Sequence, residues 1–207
     1  MRVTVFDYGA GNLHSLVKTL AGPNRSVRVD TDAEAAVLDS DVLVLPGVGA
    51  FAPAAERLAA GRLAMREAIL CGLPTLGICL GMQLLFDASD EGPGLGLGII
   101  AGQVTKLEAA RLPQIGWNGL ESVSDSLFTT SGLNIAYYAN SFACRPLDES
   151  AVTAWSEHDG DRFAAAVRRG ACVGVQFHPE KSSAPGLRFV NAFLDEAQRT
   201  LIPQETN

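Results

Sequence analysis

Three short stretches hold residue types that together can carry out acyl transfer: "GICLGMQ" (77–83), "GVQFHPEKS" (174–182) and "LPGVGAF" (45–51). In the first, Cys79 stands between Gly77 and Gly81 after an apolar run. A sharp strand-to-helix turn crowds Cβ against the backbone, and glycines two residues either side relieve the clash. The N–H groups at the start of a helix favour the reactive thiolate form of a cysteine placed there. Taken alone, the pattern also fits a small hydrophobe at the base of a helix. In the second stretch, His178 and Glu180 stand two residues apart, so in an extended segment both point to one side. A carboxylate beside an imidazole fixes its tautomer and stabilises its charged form. Pro179, without an N–H, suits a strand end. The third stretch is glycine-rich, which frees its backbone amides to face a ligand. Acyl transfer needs two donors for the oxyanion. The N–H of Leu80, after the cysteine, is one candidate, and an N–H of the Val48–Gly49 region is the other.

The elements that must position these residues follow from periodicity. "RVTVFDYG" (2–9), "SVRVD" (26–30), "DVLVLPG" (41–47) and "LPTLGI" (73–78) read as strands, the third apolar on both faces as a central parallel strand is. Between them lie helical patterns at 12–22, with Leu13, Leu16, Val17 and Leu20 on one face, and at 53–70, which is Ala-rich. "TDAE" (31–34) has capping-box spacing and predicts another helix. The second half is β-rich over 97–107, 117–123, 135–144, 151–157, 162–168 and 172–177, with Asp159-Gly160 as a hairpin turn. A last helix is expected over about 184–199, with Ser183 as candidate cap and Leu187, Val190, Phe193, Leu194 and Ala197 on its apolar face. Alternation of strand and helix predicts a single α/β domain over residues 1–207. Its sheet is open and mostly parallel, flanked by helices, with antiparallel extensions. In such a sheet ligands sit at the carboxyl ends of strands, which is where all three stretches fall.

Composition narrows the functional classes. The chain has 207 residues, 47% of them apolar, and a net charge of -7, which argues against nucleic acid or an anionic membrane as the main partner. No apolar run approaches the length of a membrane span, and "MRVTVFDYG" enters a strand pattern directly, so a cytoplasmic protein is expected. The four cysteines, Cys71, Cys79, Cys144 and Cys172, are widely spaced. With three histidines in no metal-type spacing, neither a disulfide framework nor a metal or other cofactor is expected. "DYGAGNLH" fails the dinucleotide fingerprint because His14 occupies the third glycine position. "EGPGLGLG" (91–98) has no Walker lysine and reads as a tight loop.

With "PGVGAF", "GICLGMQLLF" and "GVQFHPEKS" in this order, the sequence resembles the class I (triad) glutamine amidotransferases from end to end. "DYGAGNL" (7–13), "IGWN" (115–118) and "HPEKS" (178–182) narrow the resemblance to the glutaminase subunits of imidazole glycerol phosphate synthase. The resemblance implies that Cys79 attacks the glutamine side-chain amide with His178 as base, oriented by Glu180. Ammonia leaves, and water hydrolyses the γ-glutamyl thioester. It also implies substrate contacts from Gln83, Glu91, Asn140, Ser141 and Phe142, with Glu91 holding the substrate ammonium. It implies a cyclase subunit, a TIM barrel, as heterodimeric partner, met by Asn12, Trp117 and Lys181, and a place in histidine biosynthesis. Two segments depart from the usual pattern: Gln114 stands where a histidine is common before the "GWN" motif, and in "YYANSF" Asn140 and Phe142 stand where a histidine and a tyrosine are common. A glutaminase serving another ammonia-using synthase, a non-catalytic partner-binding subunit and an unrelated cysteine peptidase or redox protein remain as alternative readings of the sequence.

Overall fold

The computed structural model describes residues 1–9 and 13–201. Four strands of the first half, β1 (Arg2–Phe6), β2 (Ser26–Asp30), β3 (Val42–Leu45) and β4 (Thr75–Ile78), line up in parallel. Helix α1 (His14–Leu20) follows β1. Between β3 and β4 the chain forms α2 (Phe51–Leu58) and α3 (Arg62–Leu70). After β4 comes a single helical turn, α4 (Leu80–Gln83), then a two-residue strand β5 (Ala88–Ser89) and β6 (Gly102–Lys106). The second half supplies β7 (Gln114–Gly119), α5 (Ser126–Ser131), β8 (Ile135–Asn140) and β9 (Phe142–Pro146). It ends with β10 (Val152–His158), β11 (Asp161–Arg169), β12 (Cys172–Val175) and α6 (Ser183–Leu201).

The main sheet has the order β10-β11-β12-β4-β3-β1-β2. β12 joins β4 in parallel, whereas β11 and β10 are antiparallel. The predicted α/β architecture is therefore observed, as a mostly parallel sheet with an antiparallel edge. Alternation sorts its side chains. Val3, Val5, Val42 and Val44 enter one core with α1, α5 and α6, while Phe6, Leu43 and Leu45 enter the other with α2 and α3. Two small sheets, β5-β6-β9 and β7-β8, lie outside this frame. No helix among the described residues is long and apolar enough to cross a membrane.

Several sequence expectations need correction. The 53–70 helix is broken by a 3-10 turn at Ala59–Gly61, because Gly61 packs on the Ala33–Glu34 backbone: a Cβ there would stand 2.6 Å from the Glu34 nitrogen. "TDAE" opens no α-helix, and residues 33–39 form turns. Asp32, not Thr31, accepts from the N–H groups of Glu34 and Ala35, both at 2.9 Å. The Arg28 guanidinium takes the carbonyls of Ala35 and Leu38 at 2.8 and 2.7 Å, acceptors that a continuous helix needs. The 135–144 run is two strands parted at Ser141, and the helix α5 was not foreseen. On α6, Leu187 is exposed, and Phe189 joins Val190, Phe193, Leu194 and Ala197 in the core. Asp159 and Gly160 do turn the β10–β11 hairpin, with φ of 52° and 87°, the all-positive pattern of a type I′ turn.

Candidate active site

β12, β4 and β3 are neighbours and parallel. Their carboxyl ends therefore open on one edge of the sheet, and the three chemistry-bearing stretches converge there. Cys79 follows β4 directly. Its N–H donates to the Val175 carbonyl at 2.7 Å, and its φ of 48° with ψ of -105° turns the chain abruptly into α4. The flanking glycines are required sterically. A Cβ on Gly77 would stand 2.7 Å from the Gly81 carbonyl oxygen, and a Cβ on Gly81 would run into the Leu45 carbonyl. Cys79 is buried at the floor of a cavity of about 230 Å³ lined by Gly49, Leu80, Gln83, Glu91, Asn140 and Phe142, with Pro113, Ala139 and Ser141 completing it. As the first residue of a helical turn, Leu80 has an N–H with no acceptor within α4. The turn is one of four residues only, shorter than the "GMQLLF" pattern predicts, so free N–H groups rather than a long helix dipole act here.

His178 is 2% exposed. Its backbone N–H donates to Tyr137 O at 2.8 Å, which ties it to β8. Gly47 lies beneath it, where a Cβ would come within 3.0 Å of His178 Cε1. His178 Nδ1 meets Glu180 Oε1 at 2.8 Å. The expected pair is thus present, but for a different reason: Pro179 starts a 3-10 turn, Pro179–Lys181, instead of continuing a strand. Burial alone would push the imidazole pKa down, and it is the largest influence. Hydrogen bonding with Cys79 and Glu180, and their negative charge, outweighs it and raises the pKa to about 9. At neutral pH the imidazole therefore holds its proton beside the sulfur. Burial pushes the thiol of Cys172 up to about 12 and that of Cys144 well above its ordinary value, so both stay protonated and inert, while Cys71 is exposed at the C-terminal end of α3 and does not line the pocket.

The remaining predicted residues fall in two groups. Gln83 is buried, and its Nε2 donates to Phe142 O at 3.2 Å and to Gln176 Oε1 at 3.3 Å. Glu91 reaches over the pocket, and its Oε2 accepts from Phe51 N at 2.9 Å, which caps α2. Asn140 Nδ2 donates to Phe142 O at 3.1 Å. Gly49 (φ 124°) lines this cavity with Leu80, whereas Val48 lines a neighbouring one with Leu13, Pro46, Glu180 and Lys181. The Val48–Gly49 peptide is thus the partition between two cavities. Trp117 and Lys181 lie away from the pocket. Trp117 is 54% exposed and packs edge-on to Tyr137 at 6.0 Å, and Lys181 Nζ lies 6.0 Å from the same ring. Asn12 lies outside the described residues. Sequence reasoning assigned nothing to Gln176, whose Nε2 lies 3.4 Å from Cys79 Sγ. Its spacing of two from His178, just past the end of β12, was a usable signal.

Comparison with known proteins gives one answer by sequence and fold. Residues 4–197 match the model of the class-I glutamine amidotransferase family. The chain is 39% identical over 202 residues to the imidazole glycerol phosphate synthase subunit HisH of Gloeothece citriformis, covering 94% of this chain and 95% of that protein. It is 41% identical to the HisH subunit of a Synechocystis strain, covering 93% and 95%. It is also 42% identical to the chloroplastic imidazole glycerol phosphate synthase hisHF of Arabidopsis thaliana, covering 93% of this chain and 34% of that one. Among solved structures, a glutamine amidotransferase superimposes with a TM-score of 0.73 at 20% identity, over 95% of this chain and 98% of that one. PurLQS from Thermotoga maritima gives 0.68 at 19%, over 94% and 98%. The structural neighbours speak for the fold, and the sequence relatives decide the rest: the chain belongs to the class-I glutamine amidotransferases and, among them, to the HisH glutaminase subunits of imidazole glycerol phosphate synthase.

Proposed function

We propose that residues 1–207 form one glutaminase domain in which Cys79, His178 and Glu180 carry the chemistry of histidine biosynthesis's ammonia supply. The observation that supports this most directly is the buried Cys79 at the strained turn, facing an imidazole that Glu180 holds at 2.8 Å. Glutamine enters the 230 Å³ cavity with its carboxamide at the sulfur. The Cys79 sulfur attacks the amide carbon, and the oxyanion is held by the N–H of Leu80 and one from the Val48–Gly49 peptide. His178 gives its proton to the departing nitrogen, so ammonia leaves and a γ-glutamyl thioester remains. His178 then takes a proton from water, the hydroxide equivalent adds to the thioester, and glutamate departs as the sulfur regains its starting state. Gln83, Glu91, Asn140, Ser141 and Phe142 form the wall that orients the substrate, Glu91 through its charge toward the substrate ammonium.

Free ammonia protonates in water and ceases to be a nucleophile, so a second active site must receive it directly. In the Arabidopsis hisHF protein the matching segment occupies about a third of the chain, which leaves room there for that second activity. The HisH relatives are subunits matched over 95% of their length, which supports a separate cyclase subunit as the receiver for this chain. The outer face of the β7–β8 ribbon suits the contact. Ile115, Trp117 and Ile135 are 67%, 54% and 52% exposed, with Tyr137 and Lys181 beside them. Such an apolar and aromatic stripe with a cation marks a protein–protein surface. The complex works in the cytoplasm. The test is glutamine hydrolysis by the purified chain with and without the cyclase subunit, together with labelling by a reactive glutamine analogue. Labelling at any residue other than Cys79, or no hydrolysis in the assembled complex, overturns the reading.

A further inference from the structure

The glutaminase mechanism gives no task to a buried polar residue behind the nucleophile. Gln176 follows β12 immediately and has no exposed surface. Its backbone N–H donates to Ala165 O at 2.9 Å, which fixes the main chain against β11. Its side chain lies between two others: Oε1 is 3.3 Å from Gln83 Nε2, and Nε2 is 3.4 Å from Cys79 Sγ. Gln83 Nε2 is also 3.2 Å from the Phe142 carbonyl oxygen.

The direction of this chain of hydrogen bonds is dictated by its far end. A backbone carbonyl oxygen can only accept, so the Gln83 atom facing Phe142 O must be the nitrogen. That nitrogen also faces Gln176, so the Gln176 atom it meets must be the oxygen. The other end of the Gln176 amide, against the sulfur, is then the N–H donor. One main-chain carbonyl in the substrate wall thus sets the polarity of a group in contact with the nucleophile, through two buried amides.

We propose that Gln176 is a further catalytic residue: its side-chain N–H holds the Cys79 sulfur in the attacking position and stabilises its anionic form, with Gln83 and the Phe142 carbonyl fixing the amide. Gln83 then has two roles, one toward the substrate and one toward the nucleophile. A hydrogen bond to a charged acceptor is worth about a ten- to hundredfold change in the population of the charged form. A less stabilised thiolate is more nucleophilic, which returns about half of that on a logarithmic scale. Removing the donor therefore leaves a net loss of roughly three- to tenfold in sulfur reactivity.

This inference rests on Cys79 being the nucleophile, and the test separates the two. Gln176→Met keeps length and removes the donor. Gln176→Glu keeps shape and the acceptor for Gln83 but places a carboxylate against the sulfur. In the full chain, iodoacetamide labelling is followed by peptide mass spectrometry at Cys79, with exposed Cys71 as internal control; turnover is measured in the complex with the cyclase subunit. The expected result for the Met variant is about a three- to tenfold slower alkylation of Cys79 with Cys71 unchanged. Its kcat falls at least as far, and KM stays within about twofold. The Glu variant is expected to lose more. Cys79 alkylation at the native rate in folded Gln176→Met overturns the inference, as does a rise in KM with kcat intact. If Met fails to fold, Glu decides; failure of both to fold gives Gln176 a packing role and also overturns it. Cys79→Ala is run alongside: retained hydrolysis there would instead remove Cys79 as nucleophile.

Discussion

At the scale of single residues, the triad predicts a graded series. Cys79→Ala and Cys79→Ser should abolish glutamine hydrolysis while the chain folds and the partner still uses added ammonia; glutamate release at near the native rate would remove the assignment. His178→Asn should cost kcat a factor comparable to loss of Cys79, and Glu180→Gln about ten to a hundred times less, since members of one catalytic unit do not add. Steady-state kinetics on the saturated complex checks both. The imidazole adds a pH prediction. Its pKa rises from an ordinary 6.5 to about 9 on folding, so the native state binds the extra proton. The stability this confers is fully present below about pH 6.5 and is lost as pH rises through about 9. In Cys79→Ala the acceptor at the sulfur position is gone and the window narrows. Denaturant unfolding of both proteins from pH 6 to 10, with His178 followed by NMR, should show a steeper loss in the wild type; parallel curves would contradict it. The convergence of Cys79, His178 and Glu180 was legible in the sequence because a cysteine, a histidine and a glutamate differ in type from their apolar strands. The meeting of His178 and Glu180 was legible only in outcome, since a 3-10 turn, not strand alternation, brings them together. Gln176 was not read, because its spacing of two from His178 shows the side it faces but not its contact with Cys79, which depends on Gln83 of α4 being in place.

At the scale of elements, the cysteine turn is the part most tightly built. Gly81→Ala would drive a methyl group into the Leu45 carbonyl, and α4 would have to leave β3. Overpacking of this kind costs roughly 1–3 kcal/mol. Thermal unfolding should show the drop, with hydrolysis falling further than stability because Cys79 moves with the turn; a stable and active Gly81→Ala protein would contradict the steric account. The parallel strands were readable because each is a short apolar run with glycine or proline at its end. The 53–70 break and the turns at 33–39 were not, because Gly61 packs on the Ala33–Glu34 backbone from more than 25 residues away and Arg28 takes the carbonyls of Ala35 and Leu38. Local propensity is helical in both places, and a tertiary contact overrides it.

At the scale of the whole molecule, the proposed catalytic pocket and the proposed docking face are separated by one layer of chain. The order β12-β4-β3 gathers the triad and the oxyanion loop, and the β7–β8 ribbon stands beside them with Trp117 outward and Asn140 inward. Trp117→Ala should weaken the complex with the cyclase subunit by about 2 kcal/mol, roughly thirtyfold in Kd. Basal hydrolysis by the free chain should be unchanged. Calorimetric titration measures the first and a glutamate assay the second; an unaltered Kd would take Trp117 out of the interface. The sequence pointed to Trp117 by resemblance, while its exposure on a two-stranded ribbon outside the main sheet depends on pairing that no local pattern encodes.

That ribbon also sets a rule for how such proteins can diverge. Its residues alternate: Gln114 and Asn140, directly opposite each other, are buried on the inner face, while Ile115, Trp117 and Tyr137 face out. Each face can drift independently, the outer one in step with a changing companion and the inner one with none, because neighbours along the chain answer to different constraints. A change at Gln114 or Asn140 is drift of the inner kind, confined to a facing pair. What the ribbon cannot absorb is a change of length. One residue gained or lost would exchange the two faces, hiding the tryptophan and exposing the amides. Descent in this segment should therefore be rich in substitutions and nearly empty of insertions and deletions.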